Sequence, residues 1–565
     1  MNHHLHVPFH LLKDVPELAC GDPGSGNLIV QGDNLVALKA LLPYYAGQVK
    51  CIYIDPPYNT GKESWTYNDN VNSPAIREWL GKVVGKEGET LDRHDRWLCM
   101  MYPRLALLRE FLSPDGIMFV SIDDVELPLL RIILDELFPH AQAKNRLACF
   151  VWETDGNFDN QAKVKIAHEY VLAYSRRFEE CPPPPVIDAS IDKKSKLFRP
   201  EIRNTIVKNG PKNPVSPIQL PIGFPSDFEE GIIAARTDRW PHYAADVLVR
   251  DGKLENASVA RSGWSSKSIC MDFIASGFKP VEDSKGQLTK FVLTKTGAIE
   301  AVKVRSLAQS HVVSVIRDVG STQSTSEALK DIGIKFTFPK PVGLIHYLIS
   351  MVADKSALVL DSFAGSGTTA HAVLQLNHQD GGCRRFILVQ VPYETEEQRS
   401  RGLSLCEELT RKRVLAVAEG YMTPKGEKVE GLRGGFRFCE LGEALFDEAG
   451  RIRETVRFAD LARHVWFTQT GEPLPRERVS ARSPLLGVTA GGVAVFLLYN
   501  GILKDKSPDG GNALTQATLT LLRAALAGPG AKRLVVYGTS QRLSAARLKR
   551  EGVDFKQIPY SIRTT

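Results

Sequence analysis

At 565 residues, 43% of them hydrophobic, the chain is long enough for three or four domains of about 100 to 200 residues each. The balance of 71 Lys and Arg against 65 Asp and Glu, net +6, is too mild to name a partner by itself. No run of about 18 uncharged apolar residues appears, and "MNHHLHVPFH" lacks the charge and apolar stretch of a signal peptide, so no membrane partner and a cytoplasmic home are expected.

The nine cysteines are scattered and never form a C-x-x-C pair, which predicts reduced core thiols and no zinc site or disulfide frame. Four histidines fall in the first ten residues without a carboxylate or cysteine partner at ligand spacing. They predict no metal, and residues 1–20 are expected to form a flexible polar terminus.

The first elements alternate between helix and strand. "GDNLVALKALLPYY" spaces Leu35, Leu38, Leu41 and Leu42 along one helical face, and "VKCIYI" follows as a short apolar strand. "DRWLCMMYPRLALLREFL" repeats the helix, "SPDG" is read as the turn that stops it, and "IMFVSI" and "HEYVLAYS" read as further strands. Such alternation predicts a parallel sheet flanked by helices.

Four consecutive prolines in "CPPPPV" can form neither helix nor inner strand, so a domain boundary is placed there. The following segment, to Lys335, is rich in polar turns and carries 22 Lys and Arg against 17 Asp and Glu. Alternation resumes with the helix "PKPVGLIHYLISMVA", the strand "ALVLD", the helix "TTAHAVLQLN" and the strand "RRFILVQV". The expected division is therefore 21–180, an insert at 181–335, 336–420, and a separate small α/β domain at 421–565.

Two motifs carry chemistry. In "LDSFAGSGTTA" a strand ends in Asp361, Gly365 and Gly367 make a tight turn, and a helix follows, aiming main-chain N–H groups and the positive helix end at a ligand. Gly365, Gly367 and Ala370 also satisfy the dinucleotide pattern, so an NAD-dependent dehydrogenase and an ordinary strand-to-helix turn both stay open. The second motif is "IDPPYNTG". A carboxylate on Asp55 and the carbonyl of Pro56 could both accept hydrogen bonds from an exocyclic amine and stabilise charge developing on its nitrogen. Pro56 and Pro57 fix the backbone without a competing N–H, and Tyr58 offers a face on which an extruded base could stack. The plainer alternative is a strand-ending turn with a solvated Asp.

Together, "GDNLVALKALLPYYAGQVKCIYIDPPYNTG" and the downstream "DSFAGSGTT" resemble the β-ordered amino-group DNA methyltransferases that modify adenine, most closely the modification subunits of type III restriction systems. "FPKPVGLI", "RRFILVQV", "DLARHVWFTQTGEPL" and "LKREGVDFKQIPY" extend the resemblance over nearly all of the chain except the insert. It implies a permuted Rossmann-like methyltransferase sheet with an inserted target-recognition domain and a small C-terminal α/β domain.

The implied reaction is transfer of a methyl group from S-adenosylmethionine to the N6 amine of a flipped adenine. The resemblance assigns the base to Asp55, Pro56, Pro57 and Tyr58. It assigns the cofactor to Asp361, Phe363, Gly365, Ser366, Gly367 and Thr368, with Lys340 and Pro341 near its methionine end. Similar proteins often follow the strand matching "RRFILVQV" with Pro-Glu for the ribose hydroxyls; here Pro392 and Tyr393 precede Glu394, so Glu394 is the candidate or the ribose is held otherwise.

Double-stranded DNA is the implied partner, with Arg261 and Lys267 of the insert as candidate contacts. A second copy of the chain and a type III helicase-nuclease subunit are further candidate partners. N4 of cytosine or an RNA amine are alternative acceptors, and a recognition module that gives a nuclease its address is the alternative of another class.

Overall fold

The structure, a computed structural model, describes the chain except residues 1–2, 6, 61–88, 143, 155–162, 187–200, 284–285, 305–311, 337, 353, 394–395, 476–477, 479–482, 500–501, 504–510, 527–532 and 563–565. Two compact units emerge, one built from residues 1–186 and 312–565, the other from 187–311.

The larger unit is organised on a ten-stranded sheet. Its strands are β1 (His10–Asp14), β2 (Leu28–Gln31), β3 (Val49–Ile54), β4 (Leu112–Ile122), β5 (Arg146–Glu153), β6 (His168–Ser175), β7 (Val315–Ile316), β8 (Leu358–Asp361), β9 (Arg385–Gln390) and β10 (Arg437–Ala444). Their order across the sheet is β1-β10-β2-β9-β8-β3-β4-β6-β5-β7. The strands from β10 to β4 run parallel, while β6 is antiparallel to both β4 and β5. The sheet is thus mixed rather than wholly parallel, because a hairpin-like return of β5 and β6 closes one side.

Alternating residues of the central strands feed two cores. Ile52, Ile54, Met118, Val120, Leu360 and Ile387 pack on one face with helices α1 (Asn34–Tyr45) and α2 (Glu89–Phe111). Cys51, Tyr53, Phe119, Val359 and Leu388 pack on the other with α3 (Val342–Ser350), α4 (Thr368–Asp380) and α5 (Lys412–Glu419). Near-continuous apolar strands are what a sheet covered on both faces requires. Helix α1 starts where it does because the Asp33 carboxylate caps the Leu35 and Val36 N–H groups. Trimming one methylene inside this sheet, as in Ile387→Val, is expected to lower stability by about 1 kcal/mol in a urea melt, since Ile387 is fully buried.

Several expectations are corrected. The N-terminus is tied down from residue 10: β1 pairs with β10, and the His10 ring bonds the Gly442 carbonyl at 2.8 Å. "SPDG" does not end the helix with a turn but lies within β4, whose register against β3 shifts between Val49 and Cys51. Asp115 is held there by Lys50 at 2.5 Å and by the Ser113 hydroxyl at 2.8 Å, so its polarity serves an ion pair at the strand start. Cys20, Cys51, Cys270, Cys406 and Cys439 are buried free thiols, but Cys99, Cys149 and Cys181 are half-buried and Cys383 is exposed.

The insert closes at 311 rather than at Lys335, because β7 pairs with β5 and returns the chain to the sheet before the helix Thr322–Asp331. Nor is 421–565 a separate domain. β10 lies inside the central sheet, and a second sheet of Leu485–Val488, Val493–Leu497, Arg533–Gly538 and Val553–Gln557 belongs to the same unit. Its inner face shares a core with Phe9 and Leu445, which composition alone does not reveal.

The 187–311 unit is mostly β. Two three-stranded sheets, one four-stranded sheet and the helix Lys267–Ala275 enclose Ile218, Leu220, Phe224, Trp264, Phe273 and Phe291. Trp264 is a core residue whose indole donates to the Ser216 carbonyl at 2.8 Å, whereas Trp240 is 41% exposed and stacks on His242. Among the described residues no helix is long and apolar enough to cross a membrane.

Candidate active site

β3 and β8 are parallel neighbours, with Cys51 opposite Val359 and Ile52 opposite Leu360. Each ends at the same edge of the sheet. The segments about 300 residues apart in sequence, Asp55 to Tyr58 and Asp361 to Thr368, therefore leave adjacent strand ends side by side. That is the crevice where open α/β sheets hold ligands.

The Asp-Pro-Pro-Tyr segment is braced from below. The Trp97 indole of α2 donates to the Pro57 carbonyl at 2.7 Å, leaving the carbonyl of Pro56 as the main-chain acceptor to be considered. Asn59 follows at φ +60°, fully buried, with its amide donating to the Arg93 carbonyl at 3.3 Å and to the Glu126 carboxylate. Asn tolerates this left-handed geometry better than most residues, so the "N" of "PPYN" anchors the end of the motif.

Above the brace sits a ring of charged groups. The Tyr58 hydroxyl lies 2.9 Å from Asp55 Oδ1 and 2.9 Å from Glu169 Oε2. The Lys340 Nζ lies 3.2 Å from the same two oxygens and 4.8 Å from the centre of the Tyr58 ring. Burial raises the Asp55 pKa above the ordinary carboxylate range; Lys340 opposes this and Glu169 adds to it. Burial alone would depress the Lys340 ammonium, but Asp55 and Glu169 carry it above the ordinary lysine value.

On the neighbouring strand, Asp361 is buried and its carboxylate is committed to the turn. Oδ1 accepts from the Phe363 N–H at 2.9 Å and Oδ2 from the Thr369 hydroxyl at 2.5 Å. Burial pushes its pKa up to about 7, with the Asp55 charge contributing. Gly365 donates its N–H to the Gln390 side chain at 2.8 Å, and its carbonyl accepts from the Thr410 hydroxyl at 2.6 Å. Ser366 and Thr368 are buried, and their hydroxyls accept from Arg413 Nη1 at 2.7 and 2.8 Å. Burial lowers the Arg413 pKa to about 10.

The structure thus brings together Asp55, Pro56, Pro57, Tyr58, Lys340, Asp361, Phe363, Gly365, Ser366, Gly367 and Thr368. Lys340 touches both motifs: its ammonium joins the carboxylates of the Asp-Pro-Pro-Tyr side, while its carbonyl accepts from Thr368 at 3.3 Å. Pro341 is the N-cap of α3. Glu394 lies outside the described residues. Arg261, exposed on the strand Ser258–Ser262, and Lys267, opening the helix Lys267–Ala275, belong to the 187–311 unit.

Sequence reading missed Glu169, Trp97, Asn59 and Arg413. Glu169 is visible only as a charge near the start of the strand "HEYVLAYS", and nothing local says that, paired opposite Trp152, it meets Tyr58 and Lys340.

Fold and site together define a Rossmann-like α/β protein with an acidic clamp and a glycine turn at one strand edge. The model of the N6_N4_Mtase family, described as DNA methylase, matches residues 49–401. The chain belongs to that DNA methylase family. It is 32% identical over 417 residues to the type III restriction-modification enzyme EcoPI Mod subunit of Escherichia phage P1, covering 70% of this chain and 62% of that protein. It is 27% identical to the type III EcoP15I Mod subunit of Escherichia coli, covering 70% and 63%, so the chain spans less than two thirds of these curated relatives. The type II methyltransferase M.KpnI of Klebsiella pneumoniae is 25% identical, covering 74% of this chain and 94% of that one. Among solved structures, the M1.HpyAVI–SAM complex aligns over 66% of this chain and 98% of its own at 11% identity and a TM-score of 0.27.

Proposed function

We propose that this chain is a site-specific DNA methyltransferase that uses S-adenosylmethionine to methylate the N6 amine of an adenine rotated out of double-stranded DNA. The observation that carries the proposal is the parallel pairing of β3 with β8, which sets Asp55 and the glycine turn at one edge. The donor set fits the cofactor: two carboxylates share one ammonium, an excess of negative charge that suits a sulfonium, and the glycine turn opens the helix α4. When bound, S-adenosylmethionine supplies an electrophilic methyl on a good leaving group.

The chain's own residues do the rest. Asp55 and the Pro56 carbonyl accept from the two hydrogens of the amine and pull its nitrogen toward tetrahedral geometry. The Tyr58 ring receives the base, offsetting an extrusion cost of a few kcal/mol. No covalent protein intermediate is required, because positioning and the polar clamp supply the catalysis. In this reading Gly365, Ser366, Gly367, Thr368, Asp361 and Phe363 shape the cofactor side, and Glu394 is the candidate for the ribose.

The 187–311 unit supplies target recognition. Arg261 and Lys267 are its candidate DNA contacts, with phosphate contacts giving affinity and base-edge contacts giving the site. By kinship with the Mod subunits, the chain acts in a type III restriction-modification system beside a helicase-nuclease subunit, and pairs with a second copy of itself.

Incubation with labelled S-adenosylmethionine and mixed-sequence DNA, followed by nucleoside analysis, is expected to yield N6-methyladenine alone. N4-methylcytosine as the product would sink the adenine assignment, and calorimetric heat with NAD but none with S-adenosylmethionine would sink the reaction class.

A further inference from the structure

The proposed transfer gives two charged side chains of the pocket no part in handling the substrate amine. Lys340 and Glu169 complete a four-membered ring with Asp55 and Tyr58, each donor within 3.2 Å of both acceptor oxygens. A phenol has one proton and can serve only one of the two carboxylates at a time, whereas the ammonium has three and serves both. Without that ammonium, two carboxylates would face each other across a single hydroxyl. Like charges so close cannot both stay ionised, and one would take up a proton. Among the described residues, the other titratable groups coupled to this ring are Tyr53 on β3, Asp361 on β8 and Asp123 after β4. None of these is a cation, so the balance rests on Lys340.

The ammonium is also well held. Its side chain is 10% exposed, and it lies between the Tyr58 ring at 4.8 Å and the Trp152 ring at 5.9 Å. Trp152 stands opposite Glu169 in the β5–β6 pairing, so one strand pair presents both the aromatic wall and the anchoring carboxylate.

Resting on the methyl-transfer reading, we infer that Lys340 and Glu169 are positioning residues for the reaction: the ammonium, anchored by Glu169, keeps Asp55 ionised to receive the substrate amine. In the resting pocket Lys340 occupies the hydrogen-bonding place of that amine on Asp55 Oδ1. When the base enters, the ammonium shifts wholly onto Glu169. The N6–methyl bond then forms as the methyl–sulfur bond breaks, with the electron pair staying on sulfur. The proton shed by the amine passes to Asp55 and on to water, and Lys340 keeps its three protons throughout.

The test is the pH profile of kcat/KM for DNA methylation by the full chain, with cofactor affinity and thermal melting measured on each variant. Asp55 must be a carboxylate, so activity is present above its pKa in the free enzyme and lost as pH falls through it. Lys340→Met leaves the two carboxylates unbalanced, and its acidic limb is expected to move up by about one unit or more, cutting activity about tenfold at a pH below the wild-type limb. Glu169→Gln is expected to move the limb down. The double variant, having lost one charge of each sign, is expected to return near the wild-type limb, an outcome that a merely structural role would not produce. Lys340→Gln serves the same purpose if the methionine variant fails to fold. An unmoved limb, a double variant no better than Lys340→Met, or a rise in cofactor KM alone would each overturn the inference. Wild-type protein inactive on DNA at every pH would overturn the methyl-transfer reading itself, which separates the two failures.

Discussion

Asp55→Ala is expected to lower single-turnover methyl transfer by about a thousandfold while leaving DNA binding nearly intact. Loss of one positioned partner of the developing charge costs about 10²–10³ in rate, and Asp55 is also the proton's first acceptor in the proposed step. The side chain is 25% exposed and carries no core packing, so its removal opens no cavity. Its partners have alternatives: Lys340 keeps Glu169 at 3.2 Å and Tyr58 keeps it at 2.9 Å. The loop itself is held by Trp97 and Asn59, which the substitution does not touch. Filter binding of a DNA duplex alongside transfer of labelled methyl separates the two quantities, and equal loss of both would remove Asp55 from the chemistry.

The parallel core could be read in advance because its strands are buried on both faces. "VKCIYI", "ALVLD" and "RRFILVQV" carry almost no polar interruption, and the helices between them show clear spacing. What could not be read was anything decided by pairing at a distance. β1 is a polar, half-exposed run, "HLLKD", whose strand character comes from β10 more than 400 residues away. The C-terminal segment looks independent in composition, yet β10 completes the central sheet and Phe9 enters the core beneath the second sheet. "SPDG" has the residues of a turn, and the pull of β3 and the Lys50–Asp115 pair overrides that local preference.

The site divides along the same line. Asp-Pro-Pro-Tyr and the glycine turn are contiguous and could be recognised, because each motif encodes its own backbone shape. The groups that tune them lie on other elements. Glu169 reaches Tyr58 from β6, Trp97 reaches Pro57 from α2, and Arg413 reaches Ser366 and Thr368 from α5. Lys340 could be named from its neighbourhood to the cofactor motifs, but the side on which its ammonium rests depends on where two distant carboxylates stand.

The two glycines of the turn are expected to respond differently to the same substitution, and the difference follows from space. Both have positive φ, +49° at Gly365 and +76° at Gly367, so alanine is strained at either by about 1 kcal/mol. At Gly365 an added Cβ would meet the Phe336 ring at an ordinary 3.7 Å. At Gly367 it would approach the Thr410 carbonyl and Val414 Cγ2, both at 3.2 Å, and the residue is buried as the N-cap of α4. Backbone cannot give way as a flexible side chain can. Gly367→Ala is therefore expected to cost about 2 to 3 kcal/mol in chemical denaturation, against about 1 for Gly365→Ala. Because Thr410 also holds the Gly365 carbonyl at 2.6 Å, displacing it tilts the whole turn, and S-adenosylmethionine affinity in calorimetric titration should fall more than tenfold for Gly367→Ala. Gly367→Val, branched at a positive φ, should abolish binding altogether. Equal tolerance of alanine at both positions would mean that the turn is not held against the helix behind it, and that it does not depend on that backing to receive a cofactor.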